Sequence, residues 1–468
     1  MLRFINQHRS FISITRVLIV LGVILASWHY GQQASRQTLI FLSFLTFGAI
    51  AVVLYLRNYR LWLPTIIIAG FFIPYGMQTG TQTLINLSML LTVGLFGLWF
   101  LDMLLLKRHL DIYPSRTFLP LIALFIAAIL SFAVGQLPWF AFGAPAPLRT
   151  QFGAIAMFTL PALAFILSAN VLEKSQWLEN LVWLFIILSG IYMIFRAIPQ
   201  SQNAIETIFV KGSKGSLLWT WFIALAFSQA LLNKSLAKHW RIILGLLVCI
   251  AMYTGSLLTG SWASGWMPPL IAILTILIFC LPNLGISLAL LTGTLGVMNY
   301  SKILNLVLAS SEQYSAITRW EAWRIVTQIA SISPLFGLGP ANYYWYTPLI
   351  PILGYYIRFN SHNQYVDIFA QTGIIGILLF FWFIGEMTLL ALKLRNRVSD
   401  GFQKAFVYGA LGGIAGMVVA GMLGDWVIPF VYNVGFDGFR TSVLGWFFLG
   451  GLVALEQIYR YGPVDNHS

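Results

Sequence analysis

An all-α polytopic membrane fold of about 12–14 spanning helices is predicted by three features of the sequence: its composition, its recurring apolar runs and the placement of its basic residues. Hydrophobic residues make up 59% of the chain and charged residues 9%, against roughly 45–50% and about 25% in soluble domains. Such a chain cannot hide its apolar surface in a water-soluble core. Runs of about 17 or more apolar residues, each enough to cross the hydrocarbon as a helix, recur along its length. They predict spans at 11–29, 38–56, 61–76, 84–106, 117–135 and 152–172, then at 180–198, 217–232, 242–261, 266–283 and 285–300, and finally at 364–392, 405–428 and 441–458. The segment from Gly260 to Tyr300 is equally compatible with a re-entrant hairpin.

The first run, from Phe11 to Trp28, follows Arg3 and Arg9 but precedes no small-residue cleavage site, so it is expected to be retained as a span. Alternating the spans from a cytoplasmic N-terminus puts most of the 27 basic residues inside, among them Arg57, Arg60, Lys107, Arg108, Lys174, Lys234, Lys238, Lys393 and Arg397. Both termini are then expected in the cytoplasm. The net charge of +13 accordingly points to orientation and anionic headgroups, and no basic stripe suggests nucleic acid. The 17 Trp and 19 Tyr suit interfacial belts. Cys249 and Cys280 fall within spans and lack metal-ligand spacing.

Arg36, Arg149, Arg196, Lys211, Lys214, Lys302, Arg319, Arg324, Arg358 and Arg440 face outward in this scheme. Several lie in one long connection, 301–363, far beyond the usual 2–8 residues between helices. Within it, Thr318 and Glu321 have capping-box spacing, and Ile317, Trp320, Trp323, Ile325, Ile329 and Ile332 suit an amphipathic helix along the membrane surface, ending before Pro334. The whole chain, 1–468, is expected to be a single membrane domain containing this loop.

His362 closes the loop in the run Ser361-His362-Asn363-Gln364-Tyr365. Near its ordinary pKa of about 6.5 a histidine can accept a proton from a hydroxyl at neutral pH, although a polar helix cap is an equal reading. Arg319, Arg358, Lys211 and Lys214 are natural partners for phosphate oxygens; headgroup contact or a surface ion pair is the alternative for each. Arg324 has Glu321 within pairing reach and Trp320 within stacking reach. Asp367 would lie about 140° around a helix from His362, so the two form no obvious dyad. The outward carboxylates Glu206, Glu312, Glu321, Asp367, Asp425 and Asp437 are scattered with no His or Cys cluster, so neither a metal nor another cofactor is expected. Gly409 with Gly413, and Gly412 with Gly416, have close-packing spacing.

His362-Asn363, Val366, Gly373 and Gly376, together with the upstream Thr318-Arg319, Trp323 and Pro334-Leu335-Phe336-Gly337-Leu338-Gly339, resemble the signature of the O-antigen ligase and O-antigen polymerase superfamily. The resemblance covers residues 210–400 best. It implies a metal-independent, inverting glycosyltransferase that moves a glycan from undecaprenyl pyrophosphate to an acceptor hydroxyl on a lipid or glycan, at the outer face of the cytoplasmic membrane and among membrane lipids. It also implies that His362 activates the acceptor and Arg319 holds the donor pyrophosphate. Lys211 then resembles the basic residue of the preceding loop, and Lys214, Arg358 and Asn363 join the expected substrate-binding set. One departure is Thr259-Gly260-Ser261-Trp262, where the family often carries Ser-Arg; either another outward cation such as Lys214, Arg196 or Arg440 substitutes, or the donor is held differently. Ligase is favoured over polymerase. A lipid-linked glycan transporter would predict cations inside the spans and a repeated half, neither of which is seen, and a non-catalytic scaffold would leave His362 freely replaceable.

Overall fold

The computed structural model describes residues 55, 58–78, 84–258, 262–301 and 312–461. The expected spans 11–29 and 38–56 lie outside the described residues, save Tyr55. The chain divides into two compact units, Met1–Leu61 and Trp62–Ser468. All the elements named below belong to the second.

Backbone in hydrocarbon must satisfy its own hydrogen bonds, which is why apolar sequence of this length becomes helix. The apolar helices are α1 (Trp62–Phe72), α2 (Leu87–Leu101), α3 (Phe118–Val134), α4 (Leu148–Val171) and α5 (Ser175–Ala197). After the short α6 (Gln202–Ile208) come α7 (Ser216–Leu232), α8 (Lys238–Tyr253), α9 (Ala263–Cys280) and α10 (Pro282–Met298). The long connection holds α11 (Glu312–Ala330) and α12 (Tyr343–Tyr346), followed by α13 (Gln364–Leu394), α14 (Phe402–Leu423) and α15 (Phe439–Tyr461). Every expected span within the described residues is thus a helix, and eight of these helices are long and apolar enough to cross a membrane. The protein is an all-α, multi-pass membrane protein. The departures are at the ends of two predicted spans, where β1 (Gly76–Gln78) and β2 (Leu84–Asn86) form an antiparallel hairpin with Gly76 opposite Asn86. Asn86 then caps α2, its side chain accepting from the Met89 N–H at 3.1 Å while donating to the Phe436 carbonyl.

The core is built around α15, whose apolar window is wholly buried. Its neighbours include α4 and α7, and α14 packs on α7 and α9. The α14 glycines make that approach possible: a Cβ on Gly412 would lie 2.7 Å from the Ala272 carbonyl of α9, and one on Gly416 2.5 Å from Thr220 of α7. Ser216 and Ser264 join the starts of α7 and α9, and Ser264 reaches the Leu423 carbonyl at the end of α14. Gln364 at the start of α13 bonds the Ile428 carbonyl and accepts from the Val427 and Ile428 N–H groups. These bonds gather the starts of α7, α9 and α13 and the end of α14 at one end of the bundle.

At that end α13 breaks. Gly373 adopts φ 67° and ψ −166° inside the helix, interrupting the ladder of backbone hydrogen bonds. The segment 334–339 supplies the missing partners: Ile374 N–H donates to Pro334 O at 2.9 Å, Leu338 N–H to Ala370 O at 2.9 Å and Gly339 N–H to Gln371 O at 3.1 Å. Ser131 of α3 holds the Phe336 carbonyl. Gly337 has a positive φ and sits where a Cβ would meet the Gln371 backbone; a Cβ on Gly373 would collide with the Leu335 carbonyl. The Pro-Leu-Phe-Gly-Leu-Gly run and Gly373 are therefore two halves of one backbone interlock. Gly373→Ala adds strain of about 1–3 kcal/mol at a positive φ, besides the collision. It is expected to lower the thermal unfolding midpoint by several degrees or abolish the folded yield. Gly245→Ala, in open space on α8, is expected to leave the midpoint unchanged or raise it, as a paired thermal-melt measurement would show.

Candidate functional site

The interlock fixes the long connection against α13, and the connection closes on His362. α11 begins at Glu312, so Thr318 lies inside the helix and is not its cap, contrary to the spacing expectation. The helix buries Ala322, Ile325, Val326 and Ile329, leaves Ile317 and Trp320 exposed, and packs against α13. Arg324 is bound to Glu321 at 2.6 Å, the ion pair the sequence suggested. Arg319 lies on another side of the same helix, half-buried, with no carboxylate partner among the described residues.

His362 and Arg319, 43 residues apart in the chain numbering, line one cavity of about 340 Å³ together with Thr318, Ala322, Ile352, Phe359 and Asn360. Burial, and to a lesser degree the Arg319 charge, lower the His362 pKa to about 4. The imidazole is consequently neutral at pH 7 and able to accept a proton. His362 has φ 49°, a left-handed conformation costing on the order of 1–2 kcal/mol for a side chain with a Cβ. Its two neighbours are pinned. Ser361 accepts the Trp323 indole N–H on its carbonyl at 2.7 Å, and its hydroxyl donates to the Asp367 carboxylate at 2.7 Å. Asn363 caps α13, its side chain accepting from the Tyr365 N–H at 2.9 Å. The structure thus gives Asn363 the cap and places His362 at the cavity.

Lys211 and Lys214 line a second cavity, of about 520 Å³, with Gly212, Gly215, Trp426, Asn433 and Gly435 among its other walls. Lys214 is bound to Glu206, which also pairs with Arg196 at 3.2 Å and accepts from the Tyr192 hydroxyl. Arg440 donates to the carbonyls of Ala69, Gly70 and Ile73, where the end of α1 leaves its last acceptors free. All three expected substitutes for the missing arginine are therefore held by protein partners. Exposed Lys211 has none among the described residues. Trp262 instead joins an aromatic cluster with Trp219 and Trp426, and Thr259-Gly260-Ser261 lies outside the described residues. Arg358 stacks on Trp345, 3.6 Å from the ring centroid, and is not part of the His362 cavity wall.

The connection between α14 and α15 touches both cavities. Asn360 of the first donates to the Tyr432 carbonyl at 3.3 Å, and Asn433 lines the second. Buried Asp425 shapes this loop by accepting from the Phe430 N–H and the Asn433 amide. Burial pushes its carboxyl up, to about 6. Sequence spacing left Asp425 among the scattered carboxylates, because its partners are backbone and amide groups with no motif of their own. Ser361, Trp323 and Asp367 were likewise missed as supports of His362; the run around the histidine was their only signal. Among the described residues no group of His, Cys, Asp and Glu has metal-binding geometry.

Residues 204–381 match the family model described as O-Antigen ligase. Over this stretch the chain is similar to the O-antigen ligase family. The matched segment contains Lys211, Arg319 and His362, and it ends within α13 beyond the Gly373 break. No curated protein matches the chain. The match supports an O-antigen ligase- or polymerase-like function in general terms for this multi-pass protein.

The electrostatics of the His362 cavity carry a pH dependence. If His362 serves as a base, protonation disables it, and activity is expected to fall as pH drops through the histidine's pKa. The acid limb of kcat/KM is expected near pH 4 rather than 6.5. Arg319→Gln removes the smaller of the two lowering causes, and a pH–rate profile should show the limb moved upward while staying below 6.5.

Proposed function

We propose that this chain transfers a glycan from undecaprenyl pyrophosphate to an acceptor hydroxyl on the outer face of the cytoplasmic membrane, in the manner of a ligase. One observation carries the reading: a neutral, half-buried histidine and a guanidinium with no carboxylate partner among the described residues share one cavity at one end of a membrane bundle. Neutral imidazole suits proton removal, and a guanidinium in a partly dry site calls for an anion.

In the proposed step the acceptor oxygen attacks the anomeric carbon from the side opposite the pyrophosphate. The new glycosidic C–O bond forms as the bond to the pyrophosphate oxygen breaks, and that oxygen leaves with the electron pair. His362 takes the acceptor proton. Arg319 stabilises the charge growing on the leaving group, the kind of electrostatic effect worth about 10²–10³-fold for a single donor. No metal is needed for this balance. Lys211, without a carboxylate partner among the described residues, is given a substrate phosphate to hold, while Lys214 acts through Glu206 to fix the loop that carries it.

Arg319 also links donor binding to base strength. A bound pyrophosphate would cancel the charge that lowers His362, so the histidine becomes a better base when the donor is present. The acid limb of kcat, which reports the substrate-bound enzyme, is therefore expected at higher pH than that of kcat/KM.

The test is transfer by purified protein in liposomes from the host's undecaprenyl pyrophosphate-linked glycan, with and without chelator. His362→Ala should lose about 10²–10⁴-fold in kcat, wild type should be chelator-resistant, and lipid pyrophosphate should be released in step with product. A lipid or protein acceptor in the product supports ligation, and a lengthened lipid-linked glycan supports polymerisation. Full activity in His362→Ala would overturn the assigned mechanism.

A further inference from the structure

Helical spacing predicts no direct contact between Asp367 and the His362 ring, yet the fold connects the two through the backbone. Asp367 is 1% exposed at the start of α13. One of its oxygens, Oδ1, accepts from both the Tyr343 hydroxyl and the Ser361 hydroxyl. The other, Oδ2, is buried with no hydrogen-bond partner among the described residues. A buried carboxylate left half unsatisfied is costly, so its retention calls for a reason.

Ser361 supplies the reason. Its hydroxyl takes the Asn363 N–H at 3.0 Å and lies 2.9 Å from the Asn363 carbonyl, closing a tight turn around His362. The turn forces His362 into the left-handed region and leaves it between two fixed residues. The Ser361 carbonyl is held by Trp323 on the helix that also carries Arg319. The Asp367–Ser361 bond thus anchors the histidine turn to α13, and the Trp323 bond sets that turn against the arginine helix.

We infer that Asp367 is a positioning residue for His362, acting through Ser361 by a single acceptor oxygen and not by its charge. The inference rests on the transfer reading for its kinetic test alone. If one acceptor oxygen is what matters, an amide that keeps an oxygen at the Oδ1 position should serve nearly as well as the acid. A carboxylate that carried a proton or faced a substrate could not be replaced in that way.

The experiment compares Asp367→Asn, Asp367→Leu, Ser361→Ala and Tyr343→Phe in the transfer assay, with carbethoxylation of His362 by diethyl pyrocarbonate followed by mass spectrometry. Asp367→Asn and Tyr343→Phe are expected within several-fold of wild type. Ser361→Ala and Asp367→Leu are expected to lose at least tenfold in kcat with little change in KM, and their relaxed turn should expose His362 to faster modification. Should Asp367→Leu fail to fold, Ser361→Ala carries the same comparison. An Asp367→Asn variant as inactive as Asp367→Leu would overturn the inference, as would a Ser361→Ala variant with wild-type kcat. If no variant or wild type transfers glycan, the functional reading fails, and the modification rates decide the positioning by themselves: equal rates in wild type and Ser361→Ala would refute it.

Discussion

The backbone interlock between 334–339 and the Gly373 break is the constraint on which the candidate site depends. A helix broken within apolar surroundings leaves N–H and carbonyl groups without partners, and each must be matched inside the protein. Here the match comes from the far side of a long connection, through Ile374, Leu338 and Gly339. Both strands of the interlock need glycine, for a positive φ and for close approach alike. Once it is formed, α11 is held on one side of α13 and the Ser361–Asn363 turn on its end, so that Arg319 and His362 meet across one cavity.

The distribution of charge follows the same economy. Most cations near this end of the bundle are held by protein acceptors: Arg196 and Lys214 by Glu206, Arg440 by the end of α1, Arg324 by Glu321, Arg358 by the Trp345 ring. Arg319 and Lys211 stand apart as cavity-lining cations with no carboxylate partner among the described residues. In a partly dry cavity an unpaired guanidinium is costly, and an anionic ligand is the natural compensation. Its cost to His362, a depressed basicity, is the kind of penalty that a bound pyrophosphate removes.

The membrane helices were legible in the sequence because their determinant is local: an uninterrupted apolar run can do little in a bilayer except form helix. The limits appeared where tertiary contacts decide. The ends of two expected spans became a hairpin closed at Gly76 and Asn86, and α11 began before the Thr318 cap that spacing suggested. Of the site, His362 and Arg319 were legible through their motifs, and the structure brings them together. The charge of Arg358 and the place of Asn363 in the histidine motif suggested substrate binding, whereas ring stacking and helix capping account for the contacts they make. Asp367 was set aside on helical geometry, without sight of Ser361. Such a relay leaves no periodic trace, since it runs through a hydroxyl and a left-handed turn.

The central claim is that the cavity shared by Arg319 and His362 receives the lipid pyrophosphate. The most direct measurement is photo-crosslinking with an undecaprenyl pyrophosphate analogue carrying a diazirine beside the pyrophosphate, followed by peptide mapping of wild type and Arg319→Ala in liposomes. The account predicts labelling within 318–322 and 359–362 that competes with unlabelled lipid pyrophosphate and falls sharply in Arg319→Ala. Labelling confined to other segments, or unchanged by loss of Arg319, would contradict it.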